Sequence, residues 1–445
     1  MKPAYKLRGF FLLLLDIGVL YLILYFVILL RFQKNFTPFI WKQHLLAFTP
    51  VFFIWIINFY IGRLYENRQF SNTLKFLSAF GKIQLINLFW GIVFFYLFPH
   101  ILTPKTNLLL VWIIASFIIF LTHLWYNKLA SNKVATNIVI IGENSNEVQE
   151  LINYLKNNHS LGYKMVKLID NDALFSQGDF QNYLKSNDIK IIVVCKVLGN
   201  TQIQKAIYNA LSSDVIIEDF VDFYEDIFQK TPLSLVEDPE FLAHLDQKSL
   251  QLWSPLKRIM DVILSILIIS FTSVIWPFII GFILLVSPGP IFYIGERRGK
   301  NNKSFKLIKF RTMIPNANNL GPSWTLENDQ RIIKGGQFLR KFYLDELPEF
   351  LNVLWGDLSI VGPRPEEINL VKLFEKEIPF YNIRHIVKPG ITGWAQINYP
   401  NTASIEGAKQ KLQYDLYYLR HYSIWLDLVI ILKTLHVPLD IPAER

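Results

Sequence analysis

Residues 259–286 read IMDVILSILIISFTSVIWPFIIGFILLV, and how this stretch meets a membrane decides the architecture around it. It exceeds the roughly 20 residues a helix needs to cross the hydrocarbon layer, and Asp261 is its sole charge. Pro277 stands in its second half, where the ring removes a helix hydrogen bond and favours a break. Lys257 and Arg258 precede the stretch, and Arg297, Arg298 and Lys300 follow it. Positive flanks favour the cytosolic side, so both ends are drawn to one face. This predicts a re-entrant helix over 259–286, its freed backbone groups satisfied by protein or water. A single span kinked at the proline is the alternative, and periodicity alone does not choose between them.

Upstream lies more membrane sequence. Apolar runs at residues 9–30, 44–62, 83–102 and 108–126 predict four transmembrane helices within residues 1–130. Trp41, Trp55, Trp90, Trp112 and Trp125 are available as interface anchors. The 445 residues are 52% hydrophobic and 18% charged, which excludes a disordered chain. The single cysteine, Cys195, excludes a disulfide framework and Cys-based zinc or iron–sulfur sites. The net charge of +9 fits positive loops against anionic lipid or phosphate; no nucleic-acid recognition module appears. Lys2, Lys6, Arg8, Arg63, Arg68, Lys75, Lys82, Lys128 and Lys133 outnumber Arg31, Lys34, Lys42 and Lys105 on the opposite side. A cytosolic N-terminus follows, and four spans return the chain to the cytosol. Asp16 is an intramembrane carboxylate, either functional or paired near Arg8 or the interface.

Residues 131–220 alternate short apolar strands with helical spacing, which predicts a Rossmann-like α/β insert with a parallel sheet. Gly142-Glu143-Asn144-Ser145 lacks the later glycines of a dinucleotide fingerprint, and Glu143 would repel a pyrophosphate, so no nucleotide is expected there. Cys195 reads as sheet packing. Asp170-Asn171-Asp172 forms a DxD triplet, read as a polar turn, with a metal–diphosphate site as the rival reading. Residues 221–254 read as a linker.

Residues 255–445 carry the chemistry. Residues 297–311 hold seven basic residues and no acid. Phe305–Met313 alternates like a strand, and period two places Lys309 and Arg311 on one face, either for phosphate or for lipid headgroups. Leu347, Phe350, Leu351 and Leu354 have helical spacing, with Pro348 in the first turn. Asp345 and Glu346 then sit at a helix N-terminus, as capping acids or as a pair dividing nucleophilic attack from Mg²⁺ binding. Pro363 and Pro365 hold Arg364 in a rigid turn suited to bidentate phosphate contact.

KFRTM at 309–313, LDELPEFLNVL at 344–354, GDLSIVGPRP at 356–365 and KPGITGWAQ at 388–396 together resemble the catalytic domain of bacterial sugar transferases. These are monotopic phosphoglycosyl transferases, or polyprenyl-phosphate hexose-1-phosphate transferases, and the layout resembles their long form with four N-terminal transmembrane helices. The resemblance implies transfer of a sugar 1-phosphate from a UDP-sugar to undecaprenyl phosphate, with release of UMP, starting an exopolysaccharide or O-antigen repeat unit. It implies that Asp345 is the nucleophile forming a phosphosugar–aspartate, that Glu346 is associated with Mg²⁺, and that Arg340 and Arg364 engage phosphate. Lys309 and Arg311 match its basic strand, and Pro277 the proline that breaks the re-entrant helix, although Trp276 stands where a serine is usual. Residues 412–435 match its interfacial helices. Implied too are a bacterial inner-membrane location, a catalytic domain on the cytosolic face in contact with lipid, and a possible homo-oligomer.

Two other classes fit parts of the chain. A catalytically silent membrane scaffold for polysaccharide assembly would have no need of Asp345, Glu346, Arg340 and Arg364. A metal-dependent glycosyltransferase using Asp170 and Asp172 would release UDP rather than UMP.

Overall fold

A computed structural model describes residues 4–62, 64–65, 73–98, 105–131, 135–158, 161–169, 179–195, 201–210, 215–235, 247–315, 317, 329–400 and 404–434. The chain divides into two compact units, Met1–Phe220 and Val221–Arg445.

The first unit opens with helices α1 (Ala4–Phe32), α2 (Pro38–Ile61), α3 (Thr73–Leu97) and α4 (Lys105–Ser131). Each contains a segment long and apolar enough to cross a membrane. The second and third begin earlier than the apolar runs suggested, at Pro38 and Phe76. Thr37 accepts a hydrogen bond from the Ile40 N–H and so caps α2, with Pro38 in its first turn. Leu20, Leu24 and Ile28 pack with Phe48, Phe52, Trp55 and Phe59 in the bundle core, whereas Phe11, Leu22, Phe53 and Phe117 point outward. Asp16 is fully buried, accepting from the Tyr65 hydroxyl at 3.0 Å and facing His123 Nε2 at 3.0 Å. These two partners are tertiary, from distant parts of the chain.

Strands β1 (Thr136–Ile141), β2 (Tyr163–Ile169), β3 (Ile189–Val194) and β4 (Ile216–Asp219) form a parallel sheet in the order β2-β1-β3-β4. Helices α5 (Asn146–Asn157), α6 (Asp179–Ser186) and α7 (Thr201–Ala210) connect them, as the alternation predicted. Gly142 has φ +142°, and a Cβ there would lie 1.9 Å from the Cys195 carbonyl oxygen. The glycine lets two strand ends approach, which accounts for it without any phosphate. Cys195 is buried beside it, donating its backbone N–H to Ile141. The Asp170–Asp172 triplet lies outside the described residues.

The second unit starts where a linker was expected. Helix α8 (Phe220–Phe228) buries Phe223, Tyr224 and Ile227, and Trp394 donates its indole N–H to the Gln229 carbonyl. Residues 221–235 are therefore part of the second unit's fold. Next comes α9 (Gln247–Thr272), then a 64° bend, then α10 (Trp276–Val286). Pro277 sits in the first turn of α10, so it starts the second helix rather than interrupting one. The Ser273 carbonyl, which a proline four residues on cannot satisfy, accepts instead from the Trp276 N–H, and Thr272 from Ile275. Lys257 and Arg258, read as flanking charges, are interior anchors: Lys257 pairs with Asp427, and Arg258 caps the Val353 and Leu354 carbonyls.

Strands β5 (Phe292–Arg298) and β6 (Ser304–Phe310) form an antiparallel hairpin. Short helices α11 (Gly336–Lys341) and α12 (Glu349–Trp355) follow, then β7 (Ser359–Val361), α13 (Ile368–Glu377), β8 (Gly390–Thr392), α14 (Trp394–Asn398), α15 (Ile405–Arg420) and α16 (Ile424–Thr434). One core joins Leu307, Val353, Val361, Trp394, Leu412, Leu416 and Ile430. Within 412–435, matched above to interfacial helices, two of the charges are interior: Asp415 pairs with Arg384 and Asp427 with Lys257. A second cluster seats Leu339, Leu344 and Leu347 on Ile279 and Ile283 of α10.

Candidate active site

The spacing of Leu347, Phe350, Leu351 and Leu354 predicted a helix, and α12 forms with Phe350 against the main core and with Glu349, Asn352 and Val353 buried. Asn352 accepts from the Ile308 N–H at 3.0 Å and donates to the Lys306 carbonyl at 2.7 Å. It thereby clamps β6 against α12 and holds Lys309 over the acidic turn. Lys309 Nζ lies 2.7 Å from Glu346 Oε1 and 2.8 Å from Glu349 Oε1. Arg364 Nη2 reaches the same Glu346 oxygen at 3.2 Å.

Asp345 does not open α12. It is buried in a separate 3₁₀ turn, Leu344–Glu346, because Pro348 cannot continue the hydrogen-bond ladder into α12. Tyr343 precedes this turn in the left-handed region, at φ 54° and ψ 22°. Such a backbone costs a non-glycine residue about 1 kcal/mol or more, and it turns the acids into the site. Arg340 is held by its Nε–H donating to Thr312 Oγ1 at 2.8 Å, within electrostatic range of Asp345.

The three carboxylates differ. Burial, then the adjacent Glu346 charge, pushes the Asp345 carboxyl above its usual range, against the pull of Lys309 and Arg340. Burial also acts to raise Glu346, but Lys309 and Arg364 prevail and hold it at about 2. Glu349 is raised, chiefly by burial. Burial works against the charge on Lys309, yet Glu349 and Glu346 keep it above the ordinary lysine value. Glu346 is thus an anion held by two cations at one of its oxygens, while Asp345 is the more basic carboxylate, the property a nucleophile needs.

Arg364 is aimed by backbone interlock. Strands β7 and β8 pair in parallel, and a Cβ on Gly390 would fall 2.1 Å from the Gly362 nitrogen. Arg384, itself paired with Asp415 at 2.8 Å, donates to the Arg364 carbonyl at 3.1 Å. Lys309, Arg340, Asp345, Glu346 and Arg364 are brought together as the sequence motifs suggested. Arg311 is not: β6 ends at Phe310, and the Arg311 guanidinium turns away to the Ser287 and Pro288 carbonyls behind α10. Glu349, Asn352 and Arg384 were missed. The available signal was a pair of polar residues three apart on an otherwise apolar helix.

The sequence profile described as "Bacterial sugar transferase" matches residues 252–440, a range that contains every residue of this site. The uncharacterized sugar transferase EpsL of Bacillus subtilis is 43% identical over 180 residues, 40% of this chain and 85% of EpsL. The chain belongs to the bacterial sugar transferase family. This sugar transferase is also 41% identical over 180 residues to the UDP-N-acetylgalactosamine-undecaprenyl-phosphate N-acetylgalactosaminephosphotransferase of Aeromonas hydrophila, covering 40% of the chain and 43% of that protein. It is 27% identical over 338 residues to the undecaprenyl-phosphate glucose phosphotransferase of Komagataeibacter xylinus, covering 71% of the chain and 61% of that protein. It therefore matches under half the length of the Aeromonas enzyme.

Proposed function

We propose that this sugar transferase moves a sugar 1-phosphate from a UDP-sugar to undecaprenyl phosphate through a phosphosugar–aspartate on Asp345. The observation that carries the reading is the division of labour in the acidic turn. Asp345 is buried with its proton affinity raised, beside a Glu346 held ionised by Lys309 and Arg364. In the first step an Asp345 oxygen attacks the β-phosphorus, and the bond from that phosphorus to the bridging oxygen breaks, so UMP leaves with the electron pair. In the second, a phosphate oxygen of undecaprenyl phosphate attacks the same phosphorus and frees the carboxylate. Phosphoryl transfer asks mainly for positioning and charge neutralisation. Arg340 and Arg364 supply rigid cations for the phosphates, and Lys309 keeps Glu346 and Glu349 from repelling them.

Among the described residues no group of three His, Cys, Asp or Glu side chains gathers as a metal cage. Mg²⁺ needs less, since it commonly takes one or two carboxylates and completes its shell with water and substrate phosphates. Glu346 fits that role through the oxygen that Lys309 and Arg364 leave uncontacted, with Asp345 adjacent. A bound Mg²⁺ would neutralise charge on the diphosphate.

The bent pair α9–α10 is apolar on its outer side and underlies the acidic turn through Leu344 and Leu347. We read it as a re-entrant anchor in the inner membrane that keeps the site at the cytosolic headgroup layer, where a soluble donor and a lipid acceptor both arrive. The test is incubation of purified protein with a panel of UDP-sugars and Mg²⁺. One sugar releases UMP and adds its phosphosugar mass to the peptide bearing Asp345. UMP release with no adduct, or an adduct elsewhere, overturns the proposal.

A further inference from the structure

Helix α11 divides its side chains three ways. Leu339 is buried on α10, Arg340 turns to Thr312 and the acids, and Phe338 faces outward. Phe338 is 59% exposed and Phe342, one turn on, 50% exposed. Their rings meet each other at 4.8 Å between centroids. Tyr343, 48% exposed, links this pair to the acidic turn only two residues before Asp345. Two large aromatic rings left open beside a charged site form an apolar patch that, among the described residues, packs only on itself.

The helix that carries the patch starts against the apolar bent pair. Gly335, at the start of α11, has φ +73°, and a Cβ there would lie 2.5 Å from Phe282 Cζ. Helix α11 thus rests directly on α10, whose Phe278 and Leu285 are among the most exposed apolar side chains of the protein. Phe282 thus meets the start of α11 at Gly335, three residues before Phe338, and Phe342 stands three residues before Asp345. Resting on the proposed reaction, we infer that Phe338 and Phe342 form a lip that receives the first isoprene units of the polyprenyl acceptor as its phosphate enters among Arg340, Arg364 and Lys309. Phenylalanine suits this occupant. A hydrocarbon chain offers only apolar contact, and these rings carry no donor or acceptor to read the edge of a uracil base.

The two half-reactions separate this inference from the reading beneath it. Adduct formation on Asp345 needs only the UDP-sugar, whereas turnover needs the lipid. The double variant Phe338→Ser/Phe342→Ser is expected to form the adduct at the wild-type rate. Its KM for undecaprenyl phosphate should rise about tenfold or more, with KM for the UDP-sugar unchanged. Phe338→Leu/Phe342→Leu should recover most of the loss, because aliphatic side chains also pack on isoprene. With a simple alkyl phosphate that carries no isoprene unit, wild type and the serine variant should react alike. The inference is overturned if KM for the lipid is unchanged, or if the rise falls on the UDP-sugar, which would place the base on the rings. If the wild type forms no adduct, the reading beneath it fails instead.

Discussion

Asp345 and Glu346 are neighbours with opposite electrostatic fates, and that contrast yields predictions at single residues. Asp345→Asn should abolish UMP release and leave no adduct, while keeping the fold, since an amide replaces a carboxyl of the same shape. The same change tests the electrostatics. The folded protein holds a proton on Asp345 at pH values where the unfolded chain has released it, so this group's contribution to stability falls as pH rises through that window. At pH 7.5 the asparagine variant should melt a few degrees above wild type. The gap should close as the pH falls to where Asp345 is protonated in the native state, which thermal melts across a pH series will show. A variant that is less stable at neutral pH would mean that the carboxylate is compensated by its cations. Glu349 gives a second prediction. Glu349→Gln leaves Lys309 only Glu346 as an ionised partner, so kcat for UMP release should fall about tenfold or more while an Asp345 adduct still forms slowly. The acidic pair stood out as adjacent carboxylates before a proline, but on its own it fitted capping acids as well, and the resemblance supplied its catalytic reading. Glu349 did not stand out, because hydrophobic spacing marks a helix there and says nothing of which polar side chain it buries. The structure buries the polar side because Lys309 and two backbone groups of β6 satisfy it there.

At the scale of elements, the site depends on pieces too short to be stable alone. Helix α12 runs Glu349–Trp355, β7 Ser359–Val361 and β8 Gly390–Thr392. Their order comes from mutual backbone contact, not from propensity. Gly390→Ala inserts a methyl 2.1 Å from the Gly362 nitrogen, in the interior of the β7–β8 pairing. It should cost about 1–3 kcal/mol or more of stability, read from denaturant unfolding, and should move Arg364 off Glu346. UMP release should then fall as far as in Arg364→Ala, which for its own part should unfold like wild type. Equal stability in the alanine-390 variant would mean that the strands part at no cost. The GPRP stretch reads as a rigid turn and KPGITGWAQ only as a motif of the resemblance, and no single-chain pattern says that their glycines face each other. The bend at 273–275 was legible from Pro277 and charge. The reason behind that charge was misread, since Lys257 and Arg258 are fastened inside the fold, where only tertiary contacts reveal them.

For the whole molecule, the relatives and the packing place the boundary of the catalytic part differently. The profile match begins at residue 252, and the 180 residues shared with EpsL are 85% of that protein, which leaves it little room for four spans and an α/β insert. Packing draws the line at Val221. Glu225 is buried, pairing with Arg420 Nη1 at 2.8 Å and His421 Nε2 at 2.8 Å, and Thr231 donates its N–H to the Gln413 carbonyl. These contacts brace α15, which also carries Asp415, the partner of the Arg384 that holds Arg364. The sequence hid this brace because a short amphipathic helix between prolines looks the same whether it tethers or docks. A chain starting at residue 216 should therefore keep adduct formation on Asp345 in detergent, without the transmembrane helices. A chain starting at residue 247 removes Glu225 from a buried pair, a change that typically costs about 3–5 kcal/mol. It should lose most adduct formation and melt well below the longer chain. Within the full chain, Glu225→Gln should reproduce part of that loss while Asp222→Asn, at the exposed edge of the same cluster, should not. Equal melting and equal adduct yield for chains starting at 216 and 247 would return the boundary to residue 252 and make the brace a passenger.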